Sequence, residues 1–391
     1  ARRYRAGEVT VFKELDDLLE SDIDAVLIMV PHLYHEEIAV RCAGAGKHVL
    51  CEKPMAVTLE GCDAMMAAAR EAGVKLMVAE NHRFLPAHRY IHDAVQEGLV
   101  GEVLLVRAYE GVNEIAGITA PDSWKGDILR AGGGSLMDMG VHKFAALEWI
   151  LQDRVEEVAA MLSRQMTNLP GKGEDNASCT IRFSRGAVGE ITVSFTQHTT
   201  PFNSLEIYGT QGTILENHAW ERPVRIYSYS RAMGEHRREW FEPDLEHAPF
   251  PHYYTLSVRQ EDEHFARCVL EDREPEFSPE DARSAVACVL MGYLSACRGG
   301  PATRRDLDEL AQGEGTASIF RDLGRCVITR PGLPEVKRMQ PIGFNRKRAE
   351  ELMKEHDLDM VIAASPVNVY YLSGLPVLPT SPNPILFSLR N

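Results

Sequence analysis

The sequence predicts an α/β fold in which a parallel, doubly wound sheet is followed by an α+β domain with a mainly antiparallel sheet. Three observations carry this. Apolar strand-like runs begin near residues 24, 48 and 74, a repeat of about 25 residues that suits right-handed βαβ crossovers. After Leu99 the rhythm changes to strands rich in Val, Ile, Thr and Phe. The 391 residues exceed what one ordinary core needs.

Asp24 to Val30 is nearly continuous apolar sequence, the mark of a strand buried on both faces. A helix over His35 to Ala45 follows, stopped by Gly46, and Lys47 to Cys51 makes the second strand. Thr58 is placed as the N-cap of the next helix, whose apolar face (Met65, Met66, Ala69, Ala72) runs to Gly73. Val74 to Ala79 is the third strand. Beyond it the predicted strands are 101–111, 155–162, 177–183, 187–197 and 204–208, with Ser184-Arg185-Gly186 as a hairpin loop. Helices are predicted over Ser135 to Leu151, Gln260 to Leu270 and Pro279 to Ala296. From Gly299 to Pro334 charged, Gly- and Pro-containing sequence reads as a linker. Arg346 to His356 then reads as an amphipathic helix and Met360 to Ala364 as a short strand.

Composition excludes several function classes. Apolar residues at 45% and charged residues at 25% are those of a globular chain. No run approaches the roughly 18 apolar residues a membrane helix needs. With 42 basic and 57 acidic residues the net charge is -15, which disfavours nucleic-acid and anionic-membrane partners. The eight cysteines form no C-x-x-C pair and read as reduced core residues of a cytoplasmic protein. His88 and His92 stand four apart on a predicted helix without a clear third ligand, so no metal site is assigned.

Three segments carry chemistry. Glu52-Lys53-Pro54 follows the second strand at its carboxyl end, the edge where open α/β sheets bind ligands; there the Lys can hold a substrate oxygen or a cofactor ribose, or simply face solvent. Asn81-His82-Arg83-Phe84 occupies the equivalent edge of the third strand. Gly132-Gly133-Gly134 permits close backbone approach, Ser135 is placed to cap the following helix, and Asp138 and His142 stand four apart on it. In an α-helix that spacing lets a carboxylate orient an imidazole for proton exchange, although a solvated Asp and His would share it.

Together these segments are similar to one family. Asp24 to Met55 (DAVLIMVPHLYHEEIAVRCAGAGKHVLCEKPM), Asn81 to Phe84 (NHRF), Trp124-Lys125-Gly126-Asp127, Ala131 to His142 (AGGGSLMDMGVH) and Leu205 to Ile214 (LEIYGTQGTI) resemble the Gfo/Idh/MocA oxidoreductases in order and spacing, from about residue 9 to 296. The resemblance implies hydride transfer between NAD or NADP and a hydroxyl of a sugar, polyol or related small molecule. It places Lys53, Asp138 and His142 as catalytic: His142 takes the hydroxyl proton, Lys53 steadies the alkoxide and Asp138 tunes His142. It places Pro31, His35, Glu52, Lys53, Asn81, Arg83, Trp124 and Lys125 around the cofactor. It also implies a homo-oligomer formed through the antiparallel sheet.

The resemblance gives boundaries: a partial Rossmann-type NAD(P)-binding domain over 1–103, a substrate and oligomerisation domain over 104–300, and the linker over 301–342. Residues 343–391 are left as a fragment, in which Phe344 to Pro376 resembles the opening of the N-terminal domain of creatinase/prolidase-type (M24) proteins. Alternative readings are a non-catalytic relative binding a ligand or partner, and the dehydrogenase-like part of a fusion with an M24 metallopeptidase. The family pattern is broken at two points. Ala145 stands where many relatives have an Asp that arranges the substrate pocket, and the first strand with its G-x-G-x-x-G turn is missing from the 391 residues. Gly44-Ala45-Gly46 is no substitute, because it closes a helix instead of opening one. That turn presents the backbone amides that hold a pyrophosphate. The 391-residue chain is accordingly expected to bind NAD(H) poorly or not at all, and a titration showing low-micromolar affinity would overturn this.

Overall fold

The structure is a computed structural model that describes residues 10, 12–120, 123–166, 171–198, 201–248 and 250–333, with the backbone alone of 360–363 and 385–388. A short helix α1 (Leu15–Leu19) leads into β1 (Ala25–Ile28), α2 (His35–Gly44), β2 (His48–Glu52), α3 (Leu59–Ala72) and β3 (Leu76–Ala79). The three strands pair in parallel in the order β1-β2-β3. Thr58 caps α3 as expected, its hydroxyl accepting from Gly61 N–H at 3.1 Å, and Gly73 ends the helix at φ 66°. β3 is buried throughout. β1 is not, contrary to expectation: it pairs only with β2 among the described residues, and Leu27 and Met29 are 43% and 40% exposed. An apolar run shows that a strand forms, whereas its burial depends on what lies beside it.

Helix α4 (Pro86–Gln96) leads to β4 (Val103–Gly111), the short helices α5 (Ile115–Thr119) and α6 (Ile128–Ala131), a π-helical turn Leu136–Gly140, and α7 (Val141–Leu151). The second sheet then assembles from β5 (Val155–Arg164), β6 (Asn176–Phe183), β7 (Val188–Ser194), β8 (Phe202–Gly209), β9 (Gly212–Asn217), β10 (Val224–Ser228) and β11 (Trp240–Phe241). Helices α8 (His252–Leu270) and α9 (Pro279–Arg298) follow, then β12 (Ala302–Thr303), α10 (Arg304–Gln312), α11 (Ile319–Cys326) and β13 (Ile328–Thr329). The strand order is β11-β10-β9-β8-β4-β7-β6-β5-β12, with β13 beside β5. Among the described strands of this second sheet, only β4–β7 and β5–β13 pair in parallel. Strands β9 to β11 lie beyond the predicted set. On β6 the alternation of buried Ala177, Cys179, Ile181 and Phe183 with exposed neighbours turns one face toward the core. That core includes Phe144 and Leu147 of α7 and Val286, Leu290 and Tyr293 of α9.

Three further expectations are corrected. The linker placed at 301–342 does not begin there: α10 starts with a capping box between Thr303 and Asp306, and Leu307, Ile319 and Leu323 are buried. The amphipathic pattern of these short helices is hidden within a charged composition, which is why it was missed. Cys297 and Cys326 are joined as a disulfide between α9 and α11, Cα–Cα 4.8 Å, while the other six cysteines are free and buried. The helix expected from Ser135 has a π-turn as its opening, and Ser135 does not cap it. No helix among the described residues is long and apolar enough to cross a membrane. The stretch similar to the M24 proteins lies outside the described residues except for the backbone of β14 (Met360–Ala363), antiparallel to β15 (Ile385–Ser388).

The start of the π-turn is held by tertiary contacts. Glu174 Oε1 accepts from Leu136 N–H at 2.8 Å, and the Tyr293 hydroxyl accepts from Met137 N–H at 3.1 Å and donates to Glu174 Oε1. Burial pushes the Glu174 carboxyl up to about 7. Gly134 lies directly against the Glu174 backbone, and Ser135 N–H donates to Glu174 C=O at 3.0 Å. A Cβ on Gly134 would strike that carbonyl. Gly134→Ala is therefore expected to destabilise the protein by about 3 kcal/mol, measured by denaturant unfolding; a loss within experimental error would show that the crossing tolerates a side chain.

Candidate active site

Parallel pairing sends the carboxyl ends of β1, β2 and β3 to one edge. There Lys53 follows β2 and Pro31 begins a 3₁₀ turn, His32–Tyr34. The His35 ring joins these two loops, with Nδ1 at 2.8 Å from Pro54 C=O and Nε2 at 2.9 Å from Val30 C=O. His35 is fully buried and committed to backbone. It positions the edge rather than facing it.

The π-turn presents Asp138 to this edge. Lys53 Nζ donates to Asp138 Oδ1 at 2.9 Å and to its C=O at 2.7 Å, while Lys125 Nζ meets Oδ2 at 3.1 Å and Glu114 at 3.6 Å. Burial opposes ionisation of Asp138, but Lys125 and Lys53 override it and hold the carboxyl well below the usual range. Asp138 and Glu114 in turn raise Lys125 despite desolvation. The Lys53 side chain remains 18% exposed, so a ligand can reach it. Trp124 packs edge-on against His32 at 4.8 Å, and His32 Nδ1 lies 2.8 Å from Ala131 C=O. Burial lowers His32 to about 3, so its ring is neutral.

His142 is held differently from expectation. Its Nδ1 donates to Glu80 Oε1 at 2.7 Å, and both side chains are more than 90% buried. Asp138 is occupied by the two lysines. The four-residue spacing assumed an α-helix, but the segment between them includes a π-turn, which re-aims Asp138 toward Lys53. Glu80 follows β3 directly, and its position at a strand's carboxyl edge was the available signal. His82 stacks on His142 with centroids 4.4 Å apart and planes 18° apart. Burial, then the charges of His142 and Lys143, holds His82 well below its ordinary value. Lys53 and Glu80, one from each ion-pair system, line the same narrow interior gap with Val141 and Phe277, so the two systems are neighbours.

Other assignments separate. Lys125 pairs with Asp138 beside Lys53, and Trp124 packs on His32 of the turn after β1. Burial raises the Glu52 carboxyl, and the charges of Lys53 and His142 act on it. Asn81 turns to α8, Nδ2 donating to Ser257 Oγ at 3.0 Å. Arg83 leaves the edge altogether: it pairs with Asp281 at 3.1 Å and stacks over Trp149 at 4.6 Å. It lines a separate polar cavity of about 370 Å³ with Ala145, Glu148 and Arg185. His88 and His92 do not converge either, since His92 stacks on Trp149 at 4.5 Å and His88 is buried beside Glu216. Sequence reading also missed a buried polar wall beyond His142, with Lys143 Nζ 3.7 Å from Glu110 and hydrogen-bonded to Asn203.

Comparison with known proteins gives the family and the fold. Residues 3–80 match a family model described as "Oxidoreductase family, NAD-binding Rossmann fold", and residues 88–215 match the "GFO/IDH/MocA C-terminal domain". The 1,5-anhydro-D-fructose reductase of Ensifer adhaerens is 33% identical over 219 residues, 55% of this chain and 64% of that protein. The myo-inositol 2-dehydrogenase of Thermotoga maritima is 29% identical over 298 residues, 75% of this chain and 83% of that protein. Among solved structures, a levoglucosan dehydrogenase in complex with NADH has a TM-score of 0.67 at 25% identity, covering 74% of this chain and 82% of that one.

Because its folded pKa is depressed, Asp138 contributes stability that is present above the ordinary Asp value of about 4 and lost as pH falls through the folded value. Asp138→Asn is expected to cost about 3 kcal/mol near neutrality, because it leaves two ammonium groups without their shared carboxylate. The gap from wild type should narrow below about pH 4. Urea unfolding across this range checks it, and a gap that widens toward acid would contradict the ion-pair assignment.

Proposed function

The chain belongs to the Gfo/Idh/MocA oxidoreductases, and from that premise we propose that it transfers a hydride between a nicotinamide cofactor and a hydroxyl-bearing carbon of a sugar, polyol or related small molecule. The carrying observation is the His142–Glu80 pair beside the Lys53–Asp138–Lys125 cluster, at the carboxyl edge of a parallel sheet. The residues at this edge fit the nicotinamide end of such a cofactor. The turn after β1 leaves Leu33 and Tyr34 44% and 43% exposed, and the His35 bridge to Pro54 sets that turn beside Lys53. Apolar surface next to a fixed ammonium suits a ring carried on a polar ribose. Pro31, Lys53, Trp124 and Lys125 are the residues proposed to hold it; Arg83 and Asn81, engaged elsewhere, are not retained in that role.

When bound, a nicotinamide cofactor supplies the acceptor or donor for the hydride. The chain's own groups then manage the proton and the oxygen. Glu80 holds Nδ1–H of His142, which leaves Nε2 as the nitrogen that accepts the hydroxyl proton. The same carboxylate stabilises the imidazolium that results. Lys53 places a positive charge for the developing alkoxide, and Asp138 aims it while Lys125 grips the other carboxylate oxygen. Behind His142, the polar wall of Glu110, Lys143 and Asn203 supports a substrate bearing several hydroxyl groups. The names of the relatives support the same substrate class.

The test is turnover of a panel of polyols and sugars with NAD and with NADP, by the chain joined at residue 1 to a strand and G-x-G-x-x-G turn of the family pattern. His142→Ala and Lys53→Ala should each lower kcat by about 100- to 10,000-fold. Glu80→Gln, which keeps a partner for Nδ1 but removes its charge, should lower kcat by about tenfold or more and move the pH profile. Undiminished turnover in His142→Ala and Lys53→Ala would refute the site, and an unchanged Glu80→Gln profile would refute the pairing.

A further inference from the structure

A second cluster of ionisable side chains lies outside the proposed machinery. His88 of α4, Glu216 near the end of β9 and His218 just beyond it converge in the interior, exposed by only 1%, 2% and 5%. One ligand atom from each lies within 4.8 Å of the others. His218 Nε2 stands 2.6 Å from Glu216 Oε1, and His88 Nε2 stands 4.0 Å from Glu216 Oε2. Despite this proximity, His88 Nε2, both Glu216 oxygens and both His218 nitrogens make no aligned hydrogen bond. Buried polar atoms of this kind are costly to leave unsatisfied, and their convergence here calls for an occupant.

We propose that His88, Glu216 and His218 form a buried divalent-cation site of the zinc type, separate from the oxidoreductase centre. Two imidazoles and one carboxylate are a donor set that suits zinc, which takes such ligands at about 2.0–2.2 Å. The surrounding contacts prepare the ligands. His88 Nδ1 lies 3.1 Å from His82 C=O, to which it donates, and this directs the Nε2 lone pair at the cluster. The His218 ring is set edge-on against Tyr253 at 4.8 Å. Burial lowers His88 to about 3 and His218 well below its ordinary value, so both rings are neutral as metal ligands must be. Glu216, raised to about 7 by burial, would lose its proton to the cation. His247, which packs on the same Tyr253 ring as His218 with centroids 5.8 Å apart, is the candidate fourth ligand. Lys143 is the competing cation: its field reaches Glu216, but its contacts are to Glu110 and Asn203.

The experiment is metal content of the 391-residue chain after zinc loading and gel filtration, with Co²⁺ as a spectroscopic substitute. The expected result is about one zinc per chain, a rise in Tm on loading, and the intense visible bands of four-coordinate Co²⁺, bleached by zinc. His218→Ala and Glu216→Gln should reduce binding about tenfold or more, whereas His92→Ala and His142→Ala should retain it. Circular dichroism separates lost ligands from lost folding. If both ligand variants are unfolded, the Co²⁺ spectrum and zinc-dependent Tm of the wild type decide. Absence of binding in the wild type would overturn the proposal and leave Lys143 as a counter-charge of Glu216. Retained binding in both folded ligand variants, or loss only in His142→Ala, would overturn it equally by placing the metal on the surface or on Glu80, His82 and His142.

Discussion

The backbone crossing of Gly134 over Glu174 is the constraint on which the site depends. With no side chain at Gly134, the segment before α7 can lie against the Glu174 carbonyl, and the Glu174 carboxyl and Tyr293 hydroxyl then take the amides of Leu136 and Met137. A helix opening normally leaves several amides without partners. Here buried side chains from β6's approach and from α9 satisfy them, so the opening turn can widen into a π-turn without exposing backbone to an apolar interior. The orientation of Asp138 and His142 follows from that turn.

Two charge systems lie side by side behind this edge, and each resolves the cost of burial in its own way. Asp138 is ionised because two ammonium groups flank it, and the pairing also limits where Lys53 can point. Glu80 and His142 form a carboxylate–imidazole pair beneath the neutral ring of His82. In the proposed reaction the first system supplies the positive charge and the second the nitrogen for proton exchange. Their separation matters chemically, because an oxyanion and a proton acceptor need opposite electrostatic surroundings within one substrate's reach.

Much of the architecture was legible in local pattern. Apolar runs of strand length, the Thr58 cap and the Gly73 stop act through contacts between residues close in sequence, and each corresponds to an observed boundary. The linker reading failed because α10 and α11 bury only a few side chains each, too weak a periodic signal within charged sequence. The disulfide failed to register because Cys297 and Cys326 are 29 residues apart and meet only when α11 packs on α9.

The sequence by itself determined the fold class, the family likeness and the position of Lys53 at the carboxyl end of β2, because strand length and short-range spacing act between residues close in the chain. Only the tertiary structure decided which groups pair. Helical spacing matched Asp138 to His142, but the π-turn directs Asp138 to Lys53 and Lys125, and Glu80, 62 residues from His142, supplies the carboxylate instead. The same holds for Arg83, drawn to Asp281 across 198 residues, and for His88, whose ring meets Glu216 and His218 rather than its helical neighbour His92. Hydrogen bonds and ion pairs are set by distance and angle in the folded chain, and residue spacing constrains these only while the local helix geometry is the one assumed.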